Sequence, residues 1–246
     1  GCSGDIFLEN LMLLDAKGIT RKLGHRNILS NVDISIHAGE VVSVFGANGA
    51  GKTTLIKILS TLLPPTSGEI WINGLEAKKH RDTVRRSVGV VVHEPLAYLD
   101  LSPYENLKFL GRLYDIRYVE ERIHHLLSDV GLNQFAREPM KNFSRGMIQR
   151  FMIAKALLHD PPILFLDEPF SGLDTSAVNL MINRIELERQ RNKGILLTTH
   201  NLEFGYHVGS HFHFLVNGDI ENVGQKQQIG LEELTANYEK RLNSQL

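Results

Sequence analysis

The segment Gly46-Ala-Asn-Gly-Ala-Gly-Lys-Thr53 has the residue types and the spacing of a phosphate-binding loop. An apolar run of strand length, residues 40–45, precedes it, and a helical pattern over residues 54–62 follows. Its glycines permit positive φ, so that backbone N–H groups converge on phosphate oxygens at the start of the helix. Lys52 adds a cation for the phosphates, and the Thr53 hydroxyl is a magnesium ligand. The predicted contacts to phosphate are Gly46, Asn48, Gly49, Ala50, Gly51, Lys52, Thr53 and Thr54.

A pair of carboxylates, Asp167 and Glu168, follows the apolar run of residues 163–166. Such a run predicts a strand that is buried on both faces of a parallel sheet, and ligands bind at the carboxyl ends of these strands. We expect Asp167 to hold Mg²⁺ and Glu168 to activate an attacking water as a general base. Taken alone, the pair is explained equally well as a solvated strand end.

The segment Phe143-Ser-Arg-Gly-Met147, followed by Gln149-Arg150, narrows the class of enzyme. Together with the acidic pair, it resembles the signature motif and the Walker B strand of ABC-type ATPases. The resemblance runs over residues 13–222, nearly the whole chain. It implies that Ser144 and Gly146, at a helix N-terminus, bind the γ-phosphate of an ATP molecule held by a second subunit. An ordinary helix cap is the alternative interpretation of Ser144.

The same resemblance assigns two later segments. Ser171-Gly-Leu-Asp174 is similar to the family's D-loop, which contacts the opposite subunit. His200 follows a predicted buried strand, residues 195–199, at the place of the family's switch histidine. The resemblance implies that His200 contacts the γ-phosphate and orients the attacking water with Glu168. The catalytic residues that it implies are Glu168, His200 and Lys52, and the cofactors are ATP and Mg²⁺.

Leu23 stands where most members of the family stack adenine on an aromatic ring. Leucine supplies apolar contact to a base but no π-stacking, which contributes roughly 1–3 kcal/mol in nucleic-acid systems. We expect Leu23 to line the nucleotide site, with nearby His25 as a second candidate for contact with the base.

His93 stands where the family's Q-loop has glutamine, after a predicted strand at residues 88–92. With Pro95 and the leucine-rich segment 99–107, it makes the chain similar to the ATPase subunit of the haem exporters that serve cytochrome c biogenesis. The alternative is that His93 replaced glutamine by neutral drift, at a position that tolerates substitution. We expect His93 to lie near the γ-phosphate and to link the nucleotide to the membrane partner, with a side chain that titrates near neutral pH.

Three further histidines and one basic segment raise other possibilities. His207, His211 and His213 could bind a metal, but no carboxylate lies near them in sequence, and a half-exposed strand of the core sheet explains the last two better. Residues 81–86 place basic side chains on one short helix, which is more typical of a solvated face than of a nucleic-acid patch. We therefore predict neither a histidine metal site nor a nucleic-acid partner.

The composition limits the class of protein further. The 246 residues include 27 Lys and Arg against 28 Asp and Glu, so that no net positive field favours nucleic acid. Cys2 is the only cysteine, which excludes an internal disulfide and fits a reducing compartment. No apolar run approaches the ~20 residues that span a bilayer, and the N-terminus lacks the pattern of a signal peptide. A transport role therefore requires a separate membrane permease, with this chain peripheral at the cytoplasmic face of the membrane.

The order of predicted elements indicates an α/β fold with two additions. We predict a P-loop ABC ATPase core with an N-terminal antiparallel β-subdomain and an inserted α-helical subdomain. The predicted units are an unstructured or foreign extension at 1–12, the β-subdomain and first part of the core at 13–94, the helical subdomain with the signature motif at 95–160, the second part of the core at 161–230 and a terminal helix at 231–246. Parallel strands are predicted at 41–45, 88–92, 163–166, 195–199 and 212–216, and helices of the insertion at 104–114, 119–130 and 144–158.

The leading hypothesis is the ATPase subunit of an ABC exporter, in which two copies, or one copy and a paralogue, close on ATP and move the permease. The alternative is a soluble member of the family that does mechanical work without transport, of which the iron–sulfur assembly type fits the size. The signature of that type continues with Glu and Lys, whereas Met147-Ile-Gln-Arg150 continues here. A plain P-loop kinase would leave the signature, Asp174 and His200 without a role.

Overall fold

The computed structural model of the chain describes residues 11–243, which form two β-sheets and eight α-helices. The strands are β1 Met12–Leu23, β2 Arg26–His37, β3 Val41–Phe45, β4 Ser67–Ile72, β5 Leu75–Glu76, β6 Val88–Val91, β7 Ile163–Asp167, β8 Gly194–Thr199, β9 His211–Val216 and β10 Asp219–Gln225. The helices are α1 Lys52–Leu59, α2 Arg81–Arg86, α3 Pro103–Leu113, α4 Val119–Asp129, α5 Arg145–Ala156, α6 Thr175–Gln190, α7 Leu202–Val208 and α8 Leu231–Asn243. Within residues 11–243, every helix is too short or too polar to span a bilayer.

The smaller sheet is antiparallel and has the strand order β2-β1-β4-β5. Strands β1 and β2 form one long hairpin that turns at Gly24, whose φ is +59°. Gly18 and Asn31 also have positive φ, but they lie within continuous strands, where the register shifts as it does at β-bulges.

The larger sheet brings three loops to one edge. Its strand order is β10-β9-β3-β8-β7-β6, and all neighbours are parallel except β10 and β9. Strands β3, β7 and β8 are buried along their whole length, as their apolar sequences predict. Because parallel strands end at the same edge, the loops that follow Phe45, Asp167 and Thr199 meet there. The five predicted parallel strands are confirmed, each to within one residue.

Helices α3 to α5 stand between β6 and β7 and pack on one another. Helix α3 begins in a capping box, in which Ser102 accepts a hydrogen bond from the Glu105 N–H and Glu105 accepts one from the Ser102 N–H. The apolar faces of the three helices share one core, where Leu107 and Phe151 are fully buried. The three helices predicted for this insertion are confirmed, with ends that differ by one or two residues.

The predicted extension at residues 1–12 lies outside the described residues except for its last two. The Leu11 carbonyl accepts a hydrogen bond of 2.9 Å from the Ala38 N–H, and Met12 begins β1. At the other end, α8 covers the predicted terminal helix as far as Asn243, and residues 244–246 lie outside the described part. The limits assigned to the other units stay predictions.

A buried ionic network joins α6 to the helical insertion. Glu188 of α6 is 1% exposed and forms ion pairs with Arg184 at 2.6 Å and with Lys193 at 2.7 Å. Arg184 also pairs with Asp129 of α4 at 2.7 Å, and Lys193 pairs with Asp160, in the loop after α5, at 2.6 Å. The two cations therefore tie the core helix to two segments of the insertion, with Glu188 as their shared partner.

Replacement of Glu188 by alanine should lower the free energy of unfolding by about 3–5 kcal/mol, because it removes the shared partner of two buried cations. Glu186→Ala is the matched control on the same helix. Its ion pair with Arg189 is roughly 40% exposed, so that its loss should cost at most ~1 kcal/mol. Urea denaturation measures both variants, and equal losses would contradict the role assigned to the network.

Candidate active site

The loop between β3 and α1 has the backbone conformation of a phosphate cradle. Gly49 and Gly51 have φ of +84° and +108°, in the left-handed region. A Cβ atom on Gly51 would lie 2.9 Å from the carbonyl oxygen of Ile28, so that glycine is required. Helix α1 begins at Lys52 with no side-chain cap and no acidic residue in its first turn. Its N–H groups and the positive end of its dipole are therefore available to an anion.

The Lys52 ammonium group lies between the loop and the end of β7. Its Nζ donates hydrogen bonds to the carbonyls of Gly46 and Ala47, at 2.7 and 3.1 Å. The same nitrogen lies 3.1 Å from Oε1 of Glu168. The Lys52 side chain is only 7% exposed, so these oxygens hold the cation in a nearly dry place. The structure thus brings together the predicted phosphate-binding cation and the predicted general base.

Thr53 and Asp167 bring two oxygens together beside the loop. The Thr53 hydroxyl donates a hydrogen bond of 2.6 Å to Oδ2 of Asp167. Oδ1 of Asp167 accepts a hydrogen bond of 2.7 Å from Thr198 of β8, a residue that the sequence analysis missed. Asp167 is 3% exposed, and the Thr198 bond fixes the orientation of its carboxylate. Hydroxyl and carboxylate oxygens are the ligands that Mg²⁺ prefers, so the residues present fit this ion.

Glu168 connects Lys52 to His200. Both carboxylate oxygens of Glu168 lie 3.0 Å from Nδ1 of His200. Glu168 has a φ of +48°, a strained conformation for a residue other than glycine, and its N–H donates to the Thr198 carbonyl at 2.9 Å. This turn of the backbone at the strand end aims the carboxylate across the edge of the sheet toward the loop. The His200 side chain is 58% exposed, so that it can contact a ligand from the solvent side.

A groove of about 340 Å³ opens above the loop. Its lining residues, which we call the phosphate-loop groove, are Arg26, Ile28, Asn48, Gly49, Gly51, Lys52, Thr53, Thr54 and Glu168. Seven of these nine were predicted from the sequence as phosphate contacts or as the catalytic base. Arg26 and Ile28 were missed, because their position beside the loop depends on how the β1–β2 hairpin packs against the core. The only feature of the sequence that pointed to them was the turn at Gly24, which predicts that a strand begins near Arg26.

The predicted signature residues lie outside this groove. Ser144 caps α5, where its hydroxyl accepts a hydrogen bond of 3.2 Å from the Met147 N–H. Gly146 lies in the first turn of the same helix, close to the predicted D-loop, and Arg145 donates a hydrogen bond of 3.2 Å to Ser171 of that loop. Within one chain, Ser144 and Gly146 therefore do not line the groove that contains Lys52.

The predicted base contacts lie at the tip of the hairpin. Leu23 ends β1 and is 69% exposed, and His25 is also exposed in the turn. Neither residue lines the phosphate-loop groove, although Leu23 lies directly opposite Arg26 in the strand register. Their role toward a base stays a prediction.

His93 lies two residues beyond the end of β6 and is exposed to solvent. Val92 before it is buried, whereas Glu94 after it pairs with Lys57 of α1 at 3.3 Å. This ion pair ties the segment after β6 to the helix that begins at the phosphate loop. His93 therefore belongs to the segment that this ion pair joins to α1, but it is not among the residues that line the phosphate-loop groove, and its predicted place near the γ-phosphate stays a prediction.

His207, His211 and His213, the histidines considered as metal ligands, lie on α7 and β9. Within residues 11–243, no group of three or more His, Cys, Asp or Glu side chains is arranged to hold a metal ion. The predicted half-exposed strand is wrong in its exposure: β9 lies inside the sheet, and His213 is buried. Burial lowers the pKa of His213 to about 4, so that its ring is neutral at physiological pH. On α2, Val84 is the only buried residue, as expected for a solvated face.

The glycine loop at a helix N-terminus, together with the Lys52–Glu168–His200 contacts at the end of a parallel sheet, defines the class of P-loop nucleotide hydrolases. A family model described as ABC transporter matches residues 29–171. The chain belongs to this family, and it is an ATP-binding ATPase subunit.

Its relatives agree with this assignment. The chain is 35% identical over 234 residues to the lantibiotic transport ATP-binding protein SrtF of Streptococcus pyogenes, covering 95% of this chain and 97% of that protein. It is 30% identical over 219 residues to the linearmycin resistance ATP-binding protein LnrL of Bacillus subtilis (strain 168), covering 88% and 70%. A dimeric ATP-binding cassette solved in a post-hydrolysis state with ADP and Pi superposes with a TM-score of 0.79 and 27% identity, covering 87% of this chain and 99% of that one. The α/β fold predicted from the sequence is confirmed.

Proposed function

We propose that the chain is the motor subunit of an ABC exporter, which hydrolyses Mg²⁺-bound ATP to drive transport through a separate permease. The observation that carries the enzymatic part is the contact of Glu168 with both Lys52 and His200, at 3.1 and 3.0 Å. The direction of transport is supported by the relatives named for lantibiotic transport and linearmycin resistance. Movement of an antibiotic out of the cell would account for both names.

The site residues divide the hydrolytic step among them. Loop N–H groups and Lys52 bind and neutralise the β- and γ-phosphates. Thr53 and Asp167 would hold Mg²⁺, which supplies further neutralisation of phosphate charge when bound. Glu168 accepts the proton of the attacking water, while His200, bonded to its carboxylate, orients that water toward the γ-phosphate. The water oxygen forms a new bond to the γ-phosphorus while the bond from that phosphorus to the β–γ bridging oxygen breaks, so that ADP leaves with the electron pair and the proton of the water stays on Glu168.

A complete site requires a second ATPase subunit. Ser144 and the first turn of α5 form a helix N-terminus suited to an anion, yet they lie outside the groove of their own chain. They would reach the γ-phosphate of an ATP molecule held by a second subunit, either another copy or a paralogue. The dimeric state of the related cassette supports this arrangement.

An apolar surface near His93 is suited to a membrane permease. Leu96, Tyr98 and Leu99 are between 40% and 60% exposed, and the Tyr98 ring packs edge-on against Phe109 of α3 at 5.8 Å. We call these four residues the apolar patch. A cytoplasmic helix of the permease with an apolar face would cover it, which would hold the chain at the cytoplasmic face of the membrane. Cell fractionation tests this: the chain should sediment with membranes when the permease is co-produced, and Tyr98→Glu should release it.

The haem-export hypothesis rests on fewer residues. It depends on His93, Pro95 and the leucine-rich segment after them, and neither relative described above is named for haem or cytochrome c. Export of haem is therefore less well supported than export in general, and our proposal names no substrate. Binding of haem by membranes that contain the complex, measured by difference absorption, would revive the specific form.

Replacement of His93 by alanine should leave ATP binding and the basal ATPase rate of the isolated subunit nearly unchanged, but it should abolish most of the stimulation by the permease. The reason is that His93 joins the end of β6 to the segment that carries both the Glu94–Lys57 ion pair and most of the apolar patch. His93→Gln should preserve stimulation, since an amide can replace the imidazole in a hydrogen bond. ATPase and transport rates in proteoliposomes measure both effects.

A control sharpens this prediction. Glu121→Ala, an exposed change on α4, should leave coupling intact. Normal transport by His93→Ala would show that the position is tolerant and would remove the proposed link.

A further inference from the structure

Arg26 is a cation at the rim of the phosphate-loop groove that the hydrolytic step does not use. It begins β2, is exposed, and lines the groove together with Asn48 and Thr54. Within residues 11–243, no hydrogen bond or ion pair is found for its guanidinium group. Arg21 and Arg122, by contrast, donate hydrogen bonds to backbone carbonyls. The Arg26 side chain is therefore available to a ligand.

The hairpin presents three different side chains on the face that carries Arg26. Side chains two residues apart on a strand share a face, so Ile28 lies on the same side as Arg26, and both line the groove. Leu23 is directly opposite Arg26 in the antiparallel register, which also places it on this face. The result is a small surface made of a planar cation flanked by two apolar side chains.

This surface lies beside the phosphate cradle, since a Cβ atom on Gly51 would lie 2.9 Å from the Ile28 carbonyl oxygen and Arg26 lines the same groove. The cradle is formed by the loop and by Lys52 and Thr53, which bind the β- and γ-phosphates in the proposed function. A nucleotide held there can bring its base to the wall of the groove that Arg26 and Ile28 of the hairpin form. A purine offers a flat π-face, and a guanidinium plane stacks on such a face, which an ammonium group cannot do.

We propose that Arg26 is the base platform of this ATPase: its guanidinium plane stacks on the adenine ring, with the exposed Leu23 side chain against the ring edge. The proposal rests on the binding of ATP phosphates at the loop. It assigns to this chain a cationic plane in place of an aromatic ring as the main contact with the base. Because Arg26 contacts only the base, we expect it to determine the affinity for the nucleotide and not the positions of the catalytic side chains.

Equilibrium titration calorimetry of the full chain with Mg·ATP and with Mg·tripolyphosphate tests the proposal. Arg26→Ala should weaken the binding of Mg·ATP by roughly tenfold and change the binding of Mg·tripolyphosphate by less than about twofold. Arg26→Lys, which keeps the charge but loses the plane, should behave like Arg26→Ala. Arg26→Tyr should keep Mg·ATP within about threefold of wild type. An equal loss for both ligands would show that Arg26 serves only as a charge for phosphate and would overturn the proposal.

A matched control and a rescue complete the experiment. Lys22→Ala removes one positive charge from the same hairpin end, but Lys22 lies opposite Asn27, on the other face, so both affinities should stay unchanged. Leu23→Tyr placed in the Arg26→Ala chain should restore most of the lost ATP affinity, because the new ring stands on the face that carried the guanidinium. Failure of this rescue together with retention of affinity in Arg26→Lys would exclude stacking at this surface.

The proposed function and the platform fail in different ways. If the wild-type chain binds neither Mg·ATP nor Mg·tripolyphosphate, the loop is not a phosphate site and the proposed function fails with it. If both ligands bind to the wild-type chain and Arg26→Ala leaves the affinity for Mg·ATP unchanged, the loop keeps its role and only the platform is wrong.

Discussion

Glu168→Gln should bind Mg·ATP with nearly normal affinity and hydrolyse it about 10²- to 10⁴-fold more slowly than the wild-type chain. Glutamine keeps the size and hydrogen bonds of the side chain, but it cannot accept the proton of the attacking water. The contact of Glu168 with Lys52 and His200 supports this role. Phosphate release at saturating Mg·ATP measures the rate, and titration calorimetry measures the affinity.

The same variant should accumulate an ATP-bound dimer, because closure on ATP precedes the step that it blocks. Light scattering should then show an ATP-dependent rise in mass above the 27.7 kDa of one chain. Glu203→Gln is a suitable control, since Glu203 is an exposed acid on α7 only three residues beyond His200. Near-normal hydrolysis by Glu168→Gln, or equal effects of the two substitutions, would remove Glu168 as the general base.

Lys52→Ala should weaken the binding of Mg·ATP by at least roughly tenfold, and by about a hundredfold if two phosphate contacts are lost. Each charge-assisted hydrogen bond contributes ~1.5–3 kcal/mol, and 1.4 kcal/mol corresponds to a factor of ten. The effect is large because Lys52 is 7% exposed, so that water cannot replace it well. Calorimetric titration with ATP at constant Mg²⁺ measures the change.

Lys57→Ala provides the comparison on the same helix. Lys57 lies more than one turn beyond Lys52 and pairs with the exposed Glu94, so its removal should leave the affinity of the isolated subunit for ATP unchanged. If Lys52→Ala binds ATP as tightly as wild type, the loop does not hold the phosphates, and the class assigned to the protein loses its main support.

The arrangement of the candidate site could be predicted in part because local sequence determines the surroundings of its residues. Lys52 and Thr53 have fixed spacings from the loop glycines, and Asp167 and Glu168 follow an uninterrupted apolar strand. These patterns depend on backbone requirements, namely positive φ in the loop and burial on both faces of a parallel strand. The structure brings these side chains into contact, as the motif spacing led us to expect.

The parts that escaped prediction depend on contacts between distant segments. Thr198 reads as an ordinary residue of a buried strand, and only the pairing of β7 with β8 shows that it supports Asp167. Arg26 requires the register of the hairpin and its packing beside the loop. His213 alternates with phenylalanines in a way that suggests one exposed face, but β9 lies between β3 and β10 in the sheet and His213 is buried. In each case, tertiary packing overrides what a short sequence pattern indicates.

The central claim is that Glu168 performs the chemical step on ATP held by the Lys52 loop, and single-turnover hydrolysis tests it most directly. Protein is mixed in excess over radiolabelled Mg·ATP and quenched at increasing times, so that product release does not limit the observed rate. The account predicts that the first-order rate of ATP cleavage falls at least ~100-fold in Glu168→Gln, while the fraction of ATP bound stays the same. Equal cleavage rates in the two proteins, with ATP fully bound to both, would contradict it.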